Sequence, residues 1–120
     1  MIIGLDHVLL AAPPDTEPAL RAFYTGVLGL PEIPKPPALA ARGGCWFQVG
    51  PVQLHLGIDP AHRPSPKAHP AFRVSSLDTL AARLTAHDVH LTWDTALPGH
   101  GRFHTTDPAG NRLEFLEPAA

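Results

Sequence analysis

Four residues of this chain could share one piece of chemistry: His7, His55, His69 and Glu114. Imidazole nitrogen and carboxylate oxygen are donors suited to Fe(II), Mn(II), Ni(II) or Zn(II). Two histidines and one carboxylate leave coordination positions open for substrate or oxygen. A fourth ligand from His55 would still leave two open on an octahedral ion. Such an ion polarises a carbonyl or an enediolate, deprotonates a water, or binds oxygen. No pair among the four has the close spacing of a local metal motif, so the fold must bring them together. Each also has an ordinary reading. A histidine on a strand commonly packs in a core or at a rim, and Glu114 can be a solvated strand carboxylate, as expected of Glu117.

The elements that must position them follow from hydrophobic patterning. Ile2 to Ala12 reads as a strand that stops at Pro13-Pro14. Asp15 or Thr16 caps a helix whose first turn holds Pro18 and whose apolar stripe is Leu20, Phe23, Tyr24, Val27 and Leu28. Gly29 is placed to end it. Leu30 to Ile33 suits a short edge strand. Cys45 to Val49 and Val52 to Gly57 form a hairpin across Gly50-Pro51. The Pro-containing segment from Asp59 to Pro66 divides the chain. Beyond it come a strand from His69 to Val74 and a helix opened by Ser75-Ser76 with the stripe Leu77, Leu80, Ala81 and Leu84. Strands follow over Val89 to Trp93, Arg102 to Thr106 and Arg112 to Glu117, the last two joined by the turn Asp107 to Asn111.

The two halves repeat one plan. His7 stands in the first strand of one and His55 in its last; His69 stands in the first strand of the other and Glu114 in its last. Their separations are nearly equal. A potential ligand at each equivalent place is more than composition alone would give.

Composition bounds the rest. With 120 residues, 44% of them hydrophobic and 17% charged, the chain suits one globular domain. A net charge of −2 with scattered Lys and Arg gives no attraction to nucleic acid or an anionic membrane. No apolar run approaches the roughly 18 residues of a membrane span. The first residues lack the basic flank of a signal peptide. The single Cys45 excludes an internal disulfide, fits a reducing cytoplasm, and reads as a small buried hydrophobe. Fifteen prolines mark rigid connections. Eight histidines raise the question of metal, although His62, His87, His90 and His100 fall near loops and helix ends and read as solvated.

Several of these segments together resemble the vicinal oxygen chelate superfamily, which groups glyoxalase, fosfomycin-resistance, bleomycin-resistance and extradiol dioxygenase proteins. They are Asp6-His7-Val8, the helix from Phe23 to Leu30, Leu54-His55-Leu56, His69-Pro70-Ala71-Phe72, and the hairpin from Asp107 to Phe115. The resemblance implies an α+β fold of two βαβββ modules forming a cupped mixed sheet, module 1 over about 1–58 and module 2 over about 67–118. It implies a divalent metal on His7, His69 and Glu114, with His55 where relatives carry Glu or a non-ligand. It also implies a homodimer, in which His7 and His55 of one chain meet His69 and Glu114 of the other.

The expected function is a metal-dependent enzyme acting on a small substrate that chelates through vicinal oxygens. Lyase or isomerase chemistry comes first, then dioxygenase or thiol-transferase chemistry. The alternative is a non-catalytic binding protein of the bleomycin-resistance type. Glu114 and His104 are the candidate catalytic groups, His104 having a surface or packing role as its other reading. Arg73 and Arg112 are placed either to bind an anionic substrate or to form salt bridges. Trp46, Phe47 and Phe103 either line a cavity or pack in the core.

Overall fold

The computed structural model describes residues 1–96 and 101–118. The chain divides into two compact units, Met1–Pro64 and Ser65–Ala120. Each carries one four-stranded mixed sheet, and the two sheets have the same plan. No helix among the described residues is long and apolar enough to cross a membrane.

In the first unit the sheet order is β1 (His7–Ala12), β4 (Val52–Ile58), β3 (Cys45–Val49), β2 (Glu32–Ile33). β1 lies parallel to β4, and the other pairs are antiparallel. Between β1 and β2 runs α1 (Glu17–Arg21), which continues as a wide π-helical segment over Ala22–Val27. There the Leu28 N–H reaches back five residues to the Phe23 carbonyl at 2.9 Å. The segment ends at Gly29, whose φ of 77° is left-handed. Leu20, Phe23, Tyr24 and Val27 are buried, and the Tyr24 ring packs 5.2 Å from that of Phe47. The short helix α2 (Pro37–Ala40) occupies the β2–β3 connection.

The second unit repeats the order as β5 (Ala71–Arg73), β8 (Arg112–Leu116), β7 (Arg102–Thr106), β6 (Thr92–Asp94). Helix α3 (Leu77–Ala86) is capped by Ser76, whose hydroxyl accepts from the Thr79 N–H at 3.2 Å. Leu77, Leu84, Phe103, Leu113 and Phe115 form this unit's buried apolar set. The turn between β7 and β8 is clipped by Asp107. Its Oδ1 accepts from the Ala109 and Asn111 N–H groups at 2.8 and 2.9 Å, while Gly110 supplies a φ of 82°.

Four strands, β1, β2, β5 and β6, start later than the sequence reading. β1 begins at His7 and not at Ile2, because its partner β4 starts at Val52 and pairing runs out at His7↔Gln53. Ile2, Ile3 and Leu5 are consequently exposed. β5 begins at Ala71, one turn of chain after His69, because Pro70 has no N–H to give the ladder. The pairing β6 makes also starts later than expected, at Thr92. Leu97 to His100 lie outside the described residues, and with them the expected solvation of His100.

Candidate functional site

In the second unit three of the chemistry-bearing side chains converge. Alternation along a strand and pairing across the sheet dictate this. His104 on β7 is directly opposite Glu114 on β8, and Ala71 on β5 flanks Glu114 from the other side. His69, two residues before Ala71, reaches the same carboxylate. His69 Nε2 lies 2.8 Å and His104 Nε2 3.2 Å from Glu114 Oε1. One donor atom from each of the three falls within 4.8 Å of the others, and among the described residues this is the one such group of His, Cys, Asp and Glu. His104 and Glu114 are buried, and His69 is partly so.

The hydrogen bonds around this group show what it needs. The His69 Nδ1–H donates to the Lys67 carbonyl, which can only accept. A neutral His69 therefore turns a bare Nε2 lone pair toward Glu114 Oε1, an acceptor facing an acceptor. A cation at that point, either an added proton or a metal ion, relieves the conflict. Ligands about 2.1 Å from a first-row ion and at right angles lie about 3.0 Å apart, and the two contacts to Oε1 have that length. An anchored Nδ1 is also the usual outer support of a metal-bound histidine. The donor set fits a divalent transition metal.

Charge around Glu114 favours its ionised form. Burial pushes the carboxyl up, but the His69 hydrogen bond, the Arg102 guanidinium and His104 together hold it below the usual carboxylate range. Arg102 sits between two acids, with Nη2 2.8 Å from Asp94 Oδ2 and Nη1 3.4 Å from Glu114 Oε2. Its buried Nε has no hydrogen-bond partner among the described residues. His104 is shifted down, first by burial and then by Arg112, against the pull of Glu114. These influences shift the balance of its imidazole toward the form that offers a lone pair.

The first unit arranges its histidines differently. His55 on β4 is stacked between two rings: Trp46 at 3.9 Å with an interplanar angle of 3°, and His7 at 4.1 Å with 13°. His55 Nε2 pairs with Gln53 Oε1 at 2.9 Å, and burial followed by the charge of His7 lowers its pKa. His7 Nδ1 donates to Asp6 Oδ1 at 2.8 Å, so this ring, like that of His69, is anchored through Nδ1. The stack borders a cavity of about 470 Å³ whose walls also include Lys35, Leu39, Arg42 and Ile58.

The remaining sequence candidates have definite places. Phe103 is fully buried on the face opposite His104, packed against Phe115 and Trp93, so its core-packing reading holds and it lines no site. Phe47 packs in the core of the first unit. Arg73 is exposed, opposite Leu116 in the parallel pair. Arg112 donates to the Pro66 carbonyl at 3.3 Å. Cys45 is buried, and burial pushes its thiol up to about 11. His87 and His90 are exposed, whereas His62 is half-buried.

Sequence reasoning missed Arg102 altogether and did not join His104 to the metal donors. The available signal was register. Once Asp107 to Asn111 is a tight turn, Thr106 must face Arg112, and counting back places His104 opposite Glu114.

A repeated βαβββ module with a His-His-Glu donor group defines a class of small-molecule-binding and metal-using domains. The chain belongs to the Glyoxalase/Bleomycin resistance protein/Dioxygenase superfamily, whose family model matches residues 4–115. Among solved structures it is similar to a glyoxalase family protein from Bacillus anthracis, at 44% identity and a TM-score of 0.94, covering 98% of this chain and 96% of that one. It is also similar to lactoylglutathione lyase from Agrobacterium tumefaciens, at 23% identity and a TM-score of 0.75, covering 97% and 94% of the two chains. A third is TnmS3, an antibiotic binding protein from Streptomyces, at 19% identity and a TM-score of 0.76, covering 98% and 97%. The latter two likenesses speak to the fold alone. No curated protein matches.

Proposed function

We propose that this chain is a divalent-metal-dependent enzyme of its superfamily, acting on a small substrate with adjacent oxygen atoms. Lyase or isomerase chemistry of the glyoxalase type is the leading reaction class, with dioxygenase or thiol-transferase chemistry next. The observation that carries this reading is the convergence of His69 Nε2 and His104 Nε2 on Glu114 Oε1. His69, His104 and Glu114 are the proposed ligands within the second unit. A bound divalent ion would supply charge stabilisation for an alkoxide or enediolate.

The chain's own groups prepare that chemistry. Lys67 fixes the His69 ring through Nδ1, and Arg102 fixes Glu114 through Oε2. Glu114, whose ionised form the surrounding charges favour, is also the proposed proton acceptor, and His104 the imidazole beside it. His7, with its Nδ1 anchored on Asp6, is proposed as the ligand a second copy would bring in a homodimer. Arg73 is proposed as a contact for an anionic group of the substrate.

Metal content tests the reading. Protein purified without an affinity tag is expected to hold close to one transition-metal ion per chain. Glu114→Ala should remove it while the fold, followed by circular dichroism, persists. Undiminished metal in Glu114→Ala contradicts the assignment.

A second reading, a non-catalytic binding protein, is favoured by the cavity in the first unit. It requires ligand-induced thermal stabilisation that survives chelator treatment.

A further inference from the structure

The cavity of the first unit carries cations that no acid among the described residues neutralises. Two of its wall residues are cations, Lys35 and Arg42. Among the described residues lining it, Asp6 alone brings a carboxylate, and that carboxylate accepts from His7. No ion pair among the described residues joins Lys35 or Arg42 to an acid. Glu17, the nearest carboxylate to this corner, accepts instead from the Gly44 N–H at 3.4 Å.

The backbone places both cations on the wall of one cavity. The β2–β3 connection folds back through Gly43 and Gly44, both left-handed at φ 75° and 85°. The Lys35 ammonium donates to the Gly43 carbonyl, the next residue after Arg42. An ammonium has three donors, so two remain. The Arg42 side chain is exposed. A guanidinium and an ammonium on one cavity wall suit a carboxylate or phosphonate head, which takes charge-assisted bonds from either.

The other walls suit a flat apolar body. Leu39 and Ile58 are aliphatic, and the Trp46–His55–His7 stack presents aromatic surface. A cavity of about 470 Å³ lies within the range of small-molecule sites.

We propose that the cavity of the first unit binds a small planar organic anion, its acidic head on Arg42 and Lys35 and its flat body along the aromatic stack. The inference rests on the reading above only in taking the chain to act on small molecules, and it names the ligand class. It requires no metal.

The test is a titration of the full chain with benzoate, benzamide and benzylammonium, read by calorimetry and by Trp46 fluorescence in a Trp93→Phe background. Benzoate is expected to bind at least tenfold more tightly than either comparison compound and to change Trp46 emission. Arg42→Glu should weaken benzoate at least tenfold without moving the melting temperature, and Arg42→Lys should restore it to within about threefold. Three results overturn the inference: no benzoate binding, benzamide equal to benzoate, or Arg42→Glu without effect. Repeating the titration with chelator and in Glu114→Ala separates the two readings. Absent metal with selective benzoate binding defeats the metal reading alone. Bound metal with no preference for benzoate defeats the anion site alone.

Discussion

The two units put different chemistry on one scaffold, place for place. Their ladders align so that His7 corresponds to His69, Leu9 to Ala71, Trp46 to His104 and His55 to Glu114. In the second unit the central place is a carboxylate, and its neighbours on both sides turn imidazole nitrogens toward it. In the first unit the central place is an imidazole, and its neighbours lay their rings flat against it. A carboxylate gathers donors in its own plane, whereas an aromatic ring gathers other rings on its faces. The exchanges of Glu114 for His55 and of His104 for Trp46 therefore separate a converging donor group from a stacked wall. They leave the backbone plan untouched.

A further difference lies two residues before Trp46 and His104. The second unit has Arg102 there, reaching Glu114 and Asp94. The first has Gly44, where an added Cβ would lie 2.0 Å from the Leu56 carbonyl oxygen, at a φ of 85°. The first unit thus needs bare backbone where the second needs a long cation. Gly44→Ala should give the largest effect of all, a loss of about 3 kcal/mol or failure to fold, because backbone must shift and a left-handed residue is strained. Gly29→Ala, with nothing within 4 Å but a left-handed φ of 77°, should cost only about 1 kcal/mol. Urea denaturation of both variants checks this, and equal losses would remove the distinction.

Cys45 and Phe103 also correspond, both buried against the last strand. Only the cysteine titrates. Its folded pKa is raised to about 11, above its unfolded value, so the unfolded chain loses its proton first as pH rises. Stability is full below about pH 8.5 and should fall between there and pH 11, by on the order of 2 kcal/mol. Denaturation midpoints across that window should fall less steeply in Cys45→Ala than in the unaltered chain. Parallel curves would show that the thiol does not contribute.

Much of this plan was legible from alternation and turn residues. Gly50-Pro51 and Asp107 to Asn111 announce the two hairpins, and the flanking strands follow within a residue or two. The repeat, and with it the pairing of His69 with Glu114, was legible because it needs only the order of elements. The starts of β1 and β5 were not, since pairing depends on where the partner strand begins. The π-helical segment was hidden because a reach of five residues leaves the same apolar stripe as a reach of four. His104 required counting register through a turn. The rim of Lys35 and Arg42 required the left-handed path of Gly43 and Gly44, which composition marks only as a turn.

The donors of the second unit, His104 included, are proposed to hold the metal, while His55 belongs to an aromatic wall. Competition titration of Zn(II) into metal-free protein tests this most directly. His104→Ala is expected to weaken binding at least tenfold, and His55→Ala to leave it within about threefold. Zn(II) affinity lost in His55→Ala and retained in His104→Ala would contradict it.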